Sequence, residues 1–372
     1  MRRILILNYE FPPLGGGAAN ATYYLLKEFA KDETLQIDLV TSSVDKYRTE
    51  QFAPNITIHY LDIGKKGNLH YQSNKDLLKY SYQAYKYSKK LVKNNEYDLV
   101  HAFFGIPCGF IAMRLGLPYI VSLRGSDVPF YNARFYWLDT LLFKRLSQRI
   151  WRHARAVVAN SQELKNLAHR SVPEQEIGII YNGVDIAEFT PKDKEDQHQT
   201  KLTLISTGRL IERKGYRYLI EALAGLEDVS LTLIGDGNQR TELEALAATH
   251  GVSVTFLGPQ PHEDIPALLT RADVFVLPSQ NEGMSNSILE AMAAGLPIIA
   301  TDTGGSAELI DGNCIIVPKA DVAALRAATL TLKADPTLRA TMRARSRERA
   351  LKMSWQAVAG EYRKLYESLT SH

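Results

Sequence analysis

Short apolar runs recur along this chain, each followed by a longer stretch with helical spacing of apolar and polar positions. Runs at residues 3–8, 36–41, 56–61, 98–103, 119–123, 156–160 and 177–181 read as strands. A polar tract at 191–200 reads as a linker, and a second series follows at 202–206, 231–234, 253–257, 273–277, 297–301 and 314–317. Strands that are apolar throughout, rather than alternating, are those buried on both faces by crossover helices. The pattern therefore predicts an α/β chain of two Rossmann-like, doubly wound domains. The first covers residues 1–190 and the second 191–354, with the strand C-termini facing a shared cleft.

Composition leaves that picture in place. A length of 372 residues exceeds what one core usually holds. The net charge of +3 is uneven: residues 1–190 carry 24 Lys and Arg against 18 Asp and Glu, and residues 191–372 carry 20 against 23. A chain so weakly basic, without a recognisable binding module, is not read as a nucleic-acid binder. Two cysteines, Cys108 and Cys314, fall in different predicted domains, which argues for a reducing, cytoplasmic compartment rather than a disulfide framework. Met1-Arg2-Arg3 precedes an apolar run that ends at Leu7, too soon for a signal peptide, and residues 102–113 are too few to span a bilayer.

Three segments carry the chemistry. Glu282 and Glu290 stand eight residues apart, between a short apolar strand and the Gly295-x-Pro297 exit of a helix over 285–294. A helix start presents free N–H groups and a positive dipole end to a phosphate, here at Met284, Ser285, Asn286 and Ser287. Two acids flanking such a start suit the hydroxyls of a sugar joined to that phosphate. The competing reading is two surface glutamates on an ordinary helix. Secondly, Gly208 permits a turn that aims Arg209 forward, with Lys214 five residues on; together they can neutralise a diphosphate. Thirdly, Gly15, Gly16 and Gly17 lie between the first strand and a helix, letting the backbone approach a ligand. A dinucleotide fingerprint competes there, but its third glycine would fall at Asn20 and two prolines lengthen the turn.

The stretch from Glu282 to Glu290 resembles the Glu-x7-Glu signature of retaining, nucleotide-sugar-dependent glycosyltransferases with the GT-B fold. The Gly208-Arg209-x4-Lys214-Gly215 pattern, the glycine loop and Asn182-Gly183-Val184-Asp185 resemble the same family. The resemblance implies transfer of a hexose-type sugar, from a UDP or GDP carrier, to a hydroxyl of a glycan or lipid-linked acceptor in envelope or exopolysaccharide synthesis. It implies Glu290 on the ribose, Arg209 and Lys214 on the diphosphate, and Glu282 on the transferred sugar. Backbone near Gly258 would hold the base, and residues 355–372 would return to the first domain. The donor is a co-substrate; no cofactor is expected. No Asp-x-Asp occurs and the His and Cys residues lack ligand spacing, so no metal is expected.

One position departs from the pattern. Many relatives carry a histidine after the strand at 119–123, where this chain has Arg124. A guanidinium cannot act as a base; Arg124 is read as binding a phosphate or orienting Asp127. His101, ending the preceding strand, is read as structural rather than as entering the cleft. The departure keeps two other readings open, a non-catalytic nucleotide-sugar scaffold and an epimerase on the same fold.

Basic aromatic stretches point toward the acceptor. Residues 71–97 hold six tyrosines and six lysines, and residues 131–155 hold Phe135, Trp137, Phe143 and Trp151 among six Lys and Arg. Such helices suit peripheral association with an anionic membrane, at its inner face for a cytoplasmic protein. Inward-packing amphipathic helices would read alike. The arginine run 339–349 reads as a solvated helix face.

Overall fold

The apolar runs of the N-terminal part form β1 (Arg2–Leu7), β2 (Leu35–Ser43), β3 (Arg48–Ala53), β4 (Ile56–Asp62), β5 (Leu99–Phe103), β6 (Tyr119–Leu123), β7 (Ala156–Ala159) and β8 (Gly178–Ile179). The computed structural model describes residues 1–65, 69, 72–131, 142–191, 201–282, 284–303 and 307–370. These strands make one sheet in the order β3-β4-β2-β1-β5-β6-β7-β8, parallel except for β3 against β4. Parallel neighbours need crossovers, which include α1 (Gly17–Phe29), α2 (Asn74–Asn94), α3 (Phe110–Leu115), α4 (Lys144–His153) and α5 (Gln162–His169).

Contacts divide the chain into unit 1, Met1–Asn182 with Trp355–His372, and unit 2, Gly183–Ser354. The C-terminal helix, Trp355–Thr370, is part of unit 1: Trp355, Val358, Tyr362 and Tyr366 are buried in the same core as β1 and β5. Trp355 stacks on Tyr24 of α1, ring centroids 5.9 Å apart. Each such large apolar side chain withdrawn from water contributes about 1.5–3 kcal/mol, so the helix is an integral part of that core.

Unit 2 holds β9 (Leu202–Thr207), β10 (Val229–Ile234), β11 (Ser253–Gly258), β12 (Val274–Leu277), β13 (Ile298–Thr301) and β14 (Cys314–Val317), in the order β11-β10-β9-β12-β13-β14. All its pairings are parallel. Its helices include α6 (Tyr216–Leu223), α7 (Arg240–His250), α8 (Ile265–Leu269), α9 (Asn286–Ala293), α10 (Val322–Ala334) and α11 (Pro336–Leu351). The strand order reverses between β9 and β12, and a doubly wound sheet binds ligands beyond the strand C-termini at such a switch point.

Four readings change. β3 has no apolar run because it is an edge strand in which no residue is fully buried. β8 is only two residues long, since β7 offers it Val158 and Ala159 alone before the chain leaves for unit 2. That passage comes at Asn182–Gly183, ahead of the polar tract, whose residues 192–200 lie outside the described residues. The arginine run is not a solvated face: Arg339 donates to the carbonyl of Leu332, Arg349 to that of Glu308, and Arg347 to those of Ile186, Phe189 and Ala293. No helix among the described residues is long and apolar enough to cross a membrane.

The two basic aromatic stretches differ in what they expose. On α2, Tyr80 is fully buried, whereas Leu78 is 71% and Tyr82 68% exposed. Lys75, Lys79, Lys86, Lys89, Lys90 and Lys93 are exposed beside them. Asp76, the one acid of the helix, is engaged in a capping box with Ser73 and an ion pair with Lys65. In the other stretch Trp151 is fully buried, Phe143 is partly buried, and Phe135 and Trp137 lie outside the described residues.

Candidate active site

In unit 2 the topology brings two of the sequence motifs to the switch point. The chain leaves β9 into Gly208–Gly215 and leaves β12 into 278–282. Gln280 N–H donates to Arg213 C=O at 2.7 Å, strapping the two loops together. Gly215 makes that approach possible, because its φ is +66° and a Cβ there would stand 2.1 Å from the Pro278 carbonyl oxygen. Thr301, at the end of β13, donates to the carbonyl of Ser279 and holds the second loop from the other side.

Within this frame Lys214 Nζ donates to Glu282 Oε1 at 2.5 Å, and Ser279 Oγ donates to the same oxygen at 2.8 Å. The side chains of Lys214 and Glu282 are only 12% and 11% exposed. A pair so far out of water persists because each charge compensates the other. The Arg209 side chain is exposed and makes no hydrogen bond or ion pair among the described residues, its carbonyl accepting from Ile211 N–H at 2.9 Å. Gly283 lies outside the described residues.

Beyond the loop, Ser285 caps α9: its hydroxyl accepts from the Ile288 amide and contacts Ser287 Oγ at 2.9 Å. Met284 and Ser285 are buried, and Asn286 and Ser287 form the first turn. Glu290 lies one turn on, partly buried. Its carboxyl is pushed up to about 8, chiefly by burial and further by the charge of Glu188. Arg347 places that neighbour: its guanidinium reaches Ala293 C=O at 2.7 Å, Phe189 C=O at 2.7 Å and Ile186 C=O at 3.0 Å, tying the segment around Glu188 to the end of α9. Gly258 ends β11 and spends its carbonyl on the Gly235 amide at 2.9 Å.

In unit 1 the glycine loop follows β1 at that sheet's own switch point, between β1 and β5. Gly15 N–H is engaged by the Leu69 carbonyl at 2.9 Å, Gly16 is the N-cap of α1, and Gly17 begins it. Gly15 has φ +95°, and a Cβ there would overlap the Glu10 side chain. Asp127 is buried with its carboxylate accepting from the amides of Gly105 (2.6 Å), Arg124 (2.9 Å) and Gly125 (3.0 Å). Burial pushes that carboxyl up, and the amides pull it back. The Arg124 guanidinium does not orient Asp127; only its backbone does. It points instead to Asn182 Oδ1 at 2.7 Å and Tyr362 OH at 3.2 Å. His101 is fully buried between Ser122 and Tyr366.

Sequence reading missed Ser279, Thr301, Glu188 and Arg347. Arg347 alone carried a signal: it adjoins Ser346 in the seam Met342–Ser346–Ala350 that α11 buries at a four-residue spacing.

Two family models match the chain and meet at residue 188: Glycosyltransferase Family 4 over residues 15–188, and Glycosyl transferases group 1 over 188–349. An uncharacterized glycosyltransferase of Methanocaldococcus jannaschii is 24% identical, with 99% of each chain covered. A lipopolysaccharide core biosynthesis glycosyltransferase of Rhizobium meliloti is 33% identical over 59% of this chain and 66% of its own. The structure of sucrose-phosphate synthase from Thermosynechococcus elongatus matches with a TM-score of 0.85 at 22% identity, covering 99% of both chains.

The Glu290 environment makes stability pH-dependent. A carboxyl whose folded value is raised favours the folded state fully below its ordinary value of 4.5, and that advantage is lost as pH rises through about 8. Glu290→Gln, which cannot ionise, should match the wild type at about pH 5 and melt above it at about pH 9. Calorimetric scans across this interval measure the difference; parallel melting curves would refute the raised value.

Proposed function

The chain belongs to the glycosyl transferases group 1 family, and we propose that it transfers a hexose-type sugar from UDP or GDP to a hydroxyl of a glycan or lipid-linked acceptor, with retention of configuration. The family makes it a nucleotide-sugar-dependent transferase of GT-B fold, in place of a binding scaffold. The observation that carries the finer reading is the Lys214–Glu282–Ser279 cluster at the switch point, one loop ahead of α9 and Glu290.

In this reading the vicinal ribose hydroxyls donate to the ionised Glu290 carboxylate, so nucleotide binding expels the proton that burial holds there. The diphosphate lies against Arg209 and Lys214 and the start of α9. As it draws Lys214, Glu282 is released to accept from hydroxyls of the transferred sugar. Charge developing on the leaving phosphate is then met by donors already in place, which is where such a site stabilises the transition state most. The same phosphate takes the acceptor proton in a front-face attack. Backbone beside Gly258 faces the base. Asp127, occupied by three amides, shapes its loop and is not a nucleophile. The Rhizobium relative's role in lipopolysaccharide core synthesis supports an envelope acceptor.

We also assign peripheral membrane association to α2, whose outer face carries six exposed lysines with Leu78 and Tyr82. A row of uncompensated cations with protruding apolar groups fits an anionic lipid surface.

Four outcomes test this reading. Glu290→Ala should weaken free nucleotide and nucleotide sugar alike, by about 1.5–3 kcal/mol or roughly 10- to 150-fold. Glu282→Ala should not weaken free nucleotide, since Lys214 is then open to the diphosphate, while turnover collapses; calorimetry plus one transfer assay decides, and equal losses in both variants reject the assignment. Turnover should also survive EDTA, because Arg209 and Lys214 supply the charge a metal would; loss restored only by a divalent ion contradicts this. Finally, the protein should co-sediment with anionic vesicles and be released by salt, since exposed charges are screened within about 8–10 Å. Lys86→Gln/Lys89→Gln/Lys93→Gln should abolish sedimentation, and an unchanged pellet would exclude α2.

A further inference from the structure

Arg124 has no part in the donor site just assigned, yet it is among the most engaged side chains of unit 1. Its guanidinium lies 4.6 Å from the Phe103 ring centre, donates from Nη1 to Asn182 and from Nη2 to Tyr362. Beyond Tyr362 the contacts continue: Tyr362 OH to Ser122 Oγ at 3.0 Å, Ser122 Oγ to His101 Nε2 at 2.7 Å, and His101 Nδ1 to Tyr366 OH at 2.6 Å. Ser122, His101 and both tyrosines are buried.

We propose that Arg124 is a positioning residue: it sets the direction of this buried hydrogen-bond chain and thereby fastens both passages of the polypeptide out of unit 1 to the end of β6. A guanidinium only donates, so the Tyr362 oxygen accepts and its single proton goes to Ser122. The Ser122 proton then goes to His101 Nε2, because the reverse arrangement would leave that hydroxyl without an acceptor. Burial, and then the charge of Arg124, holds His101 well below its ordinary value, so the ring is neutral and its one proton sits on Nδ1, donated to Tyr366. The direction of every link follows from the cation at the head.

The geometry of the passages gives this chain its consequence. Asn182 is the last residue of unit 1 before the polypeptide leaves, and Tyr362 and Tyr366 stand on the helix that begins when it returns at Trp355. The two passages run side by side, with Val184 N–H donating to Met353 C=O at 2.9 Å. One side chain thus grips both. The position where the sequence resemblance leads one to expect a histidine beside the sugar is here given over to holding the framework. Arg124 Nε–H is buried and without an acceptor among the described residues.

The test reads the His101 tautomer in the full-length, ligand-free protein by 15N-histidine NMR, assigned with His101→Gln. The expected wild-type state is a proton on Nδ1 and a bare Nε2. Tyr362→Phe, which removes one oxygen from the chain, and Arg124→Met should both give mixed tautomers. Turnover should fall about 10- to 100-fold, the scale of a small misplacement remote from the chemistry, while affinity for the nucleoside diphosphate stays unchanged. A wild-type proton on Nε2 would overturn the proposal. So would unchanged tautomer and turnover in both variants, or nucleotide affinity lost in Arg124→Met in step with turnover, which would make the arginine a ligand of the substrate. The tautomer is read without substrate, so its outcome is independent of the transfer reaction assigned above.

Discussion

An ammonium and a carboxylate 2.5 Å apart, each almost out of water, set the terms for unit 2. Removing one partner of such a pair strands the other charge, at a cost of about 3–5 kcal/mol. The loops that bear Lys214 and Glu282 are accordingly held to one another by more than the pair: by the Gln280–Arg213 strap, by the close approach at Gly215, and by the anchor from Thr301. The pair is therefore costly to separate in the resting protein.

The two acids of the motif have opposite electrostatic settings. Glu282 sits against a cation and a hydroxyl, while Glu290 sits against burial and another acid, Glu188. The same residue type, eight positions apart, thus stands in two different settings: one paired with a cation and a hydroxyl, the other pushed toward its protonated form by burial and a neighbouring acid. Arg347 completes this arrangement from a distance, since three backbone carbonyls on its guanidinium keep the Glu188 segment beside α9.

The fold class was legible because strands buried on both faces must be apolar along their length; β1, β6 and β13 are apparent to within a residue or two from that rule alone. The same rule fails for β3, an edge strand whose exposed residues bear no such demand. For the site, spacing located Glu282, Glu290, Arg209 and Lys214 but could not reveal that Lys214 and Glu282 bond to each other, which depends on two loops 60-odd positions apart meeting beyond the central strands β9 and β12. Asp127 and Arg124 looked like cleft chemistry because acidic and basic side chains after a strand read the same whether they face a ligand or backbone. Amide capping of a carboxylate leaves no mark in composition. The arginine run misled for a related reason: carbonyl acceptors are invisible in a sequence, so a cation bonded to them looks solvated.

That unit 1 is assembled from both ends of the polypeptide has a consequence for how the protein is made. Synthesis proceeds from the N-terminus, and domains generally fold as units while the chain emerges. Residues 1–182 appear first but lack Trp355, Val358, Tyr362 and Tyr366, all of which belong to their core. Unit 2 is contiguous and complete once Ser354 is out. The domain translated second can therefore finish first, and the one translated first stays open until the last helix leaves the ribosome.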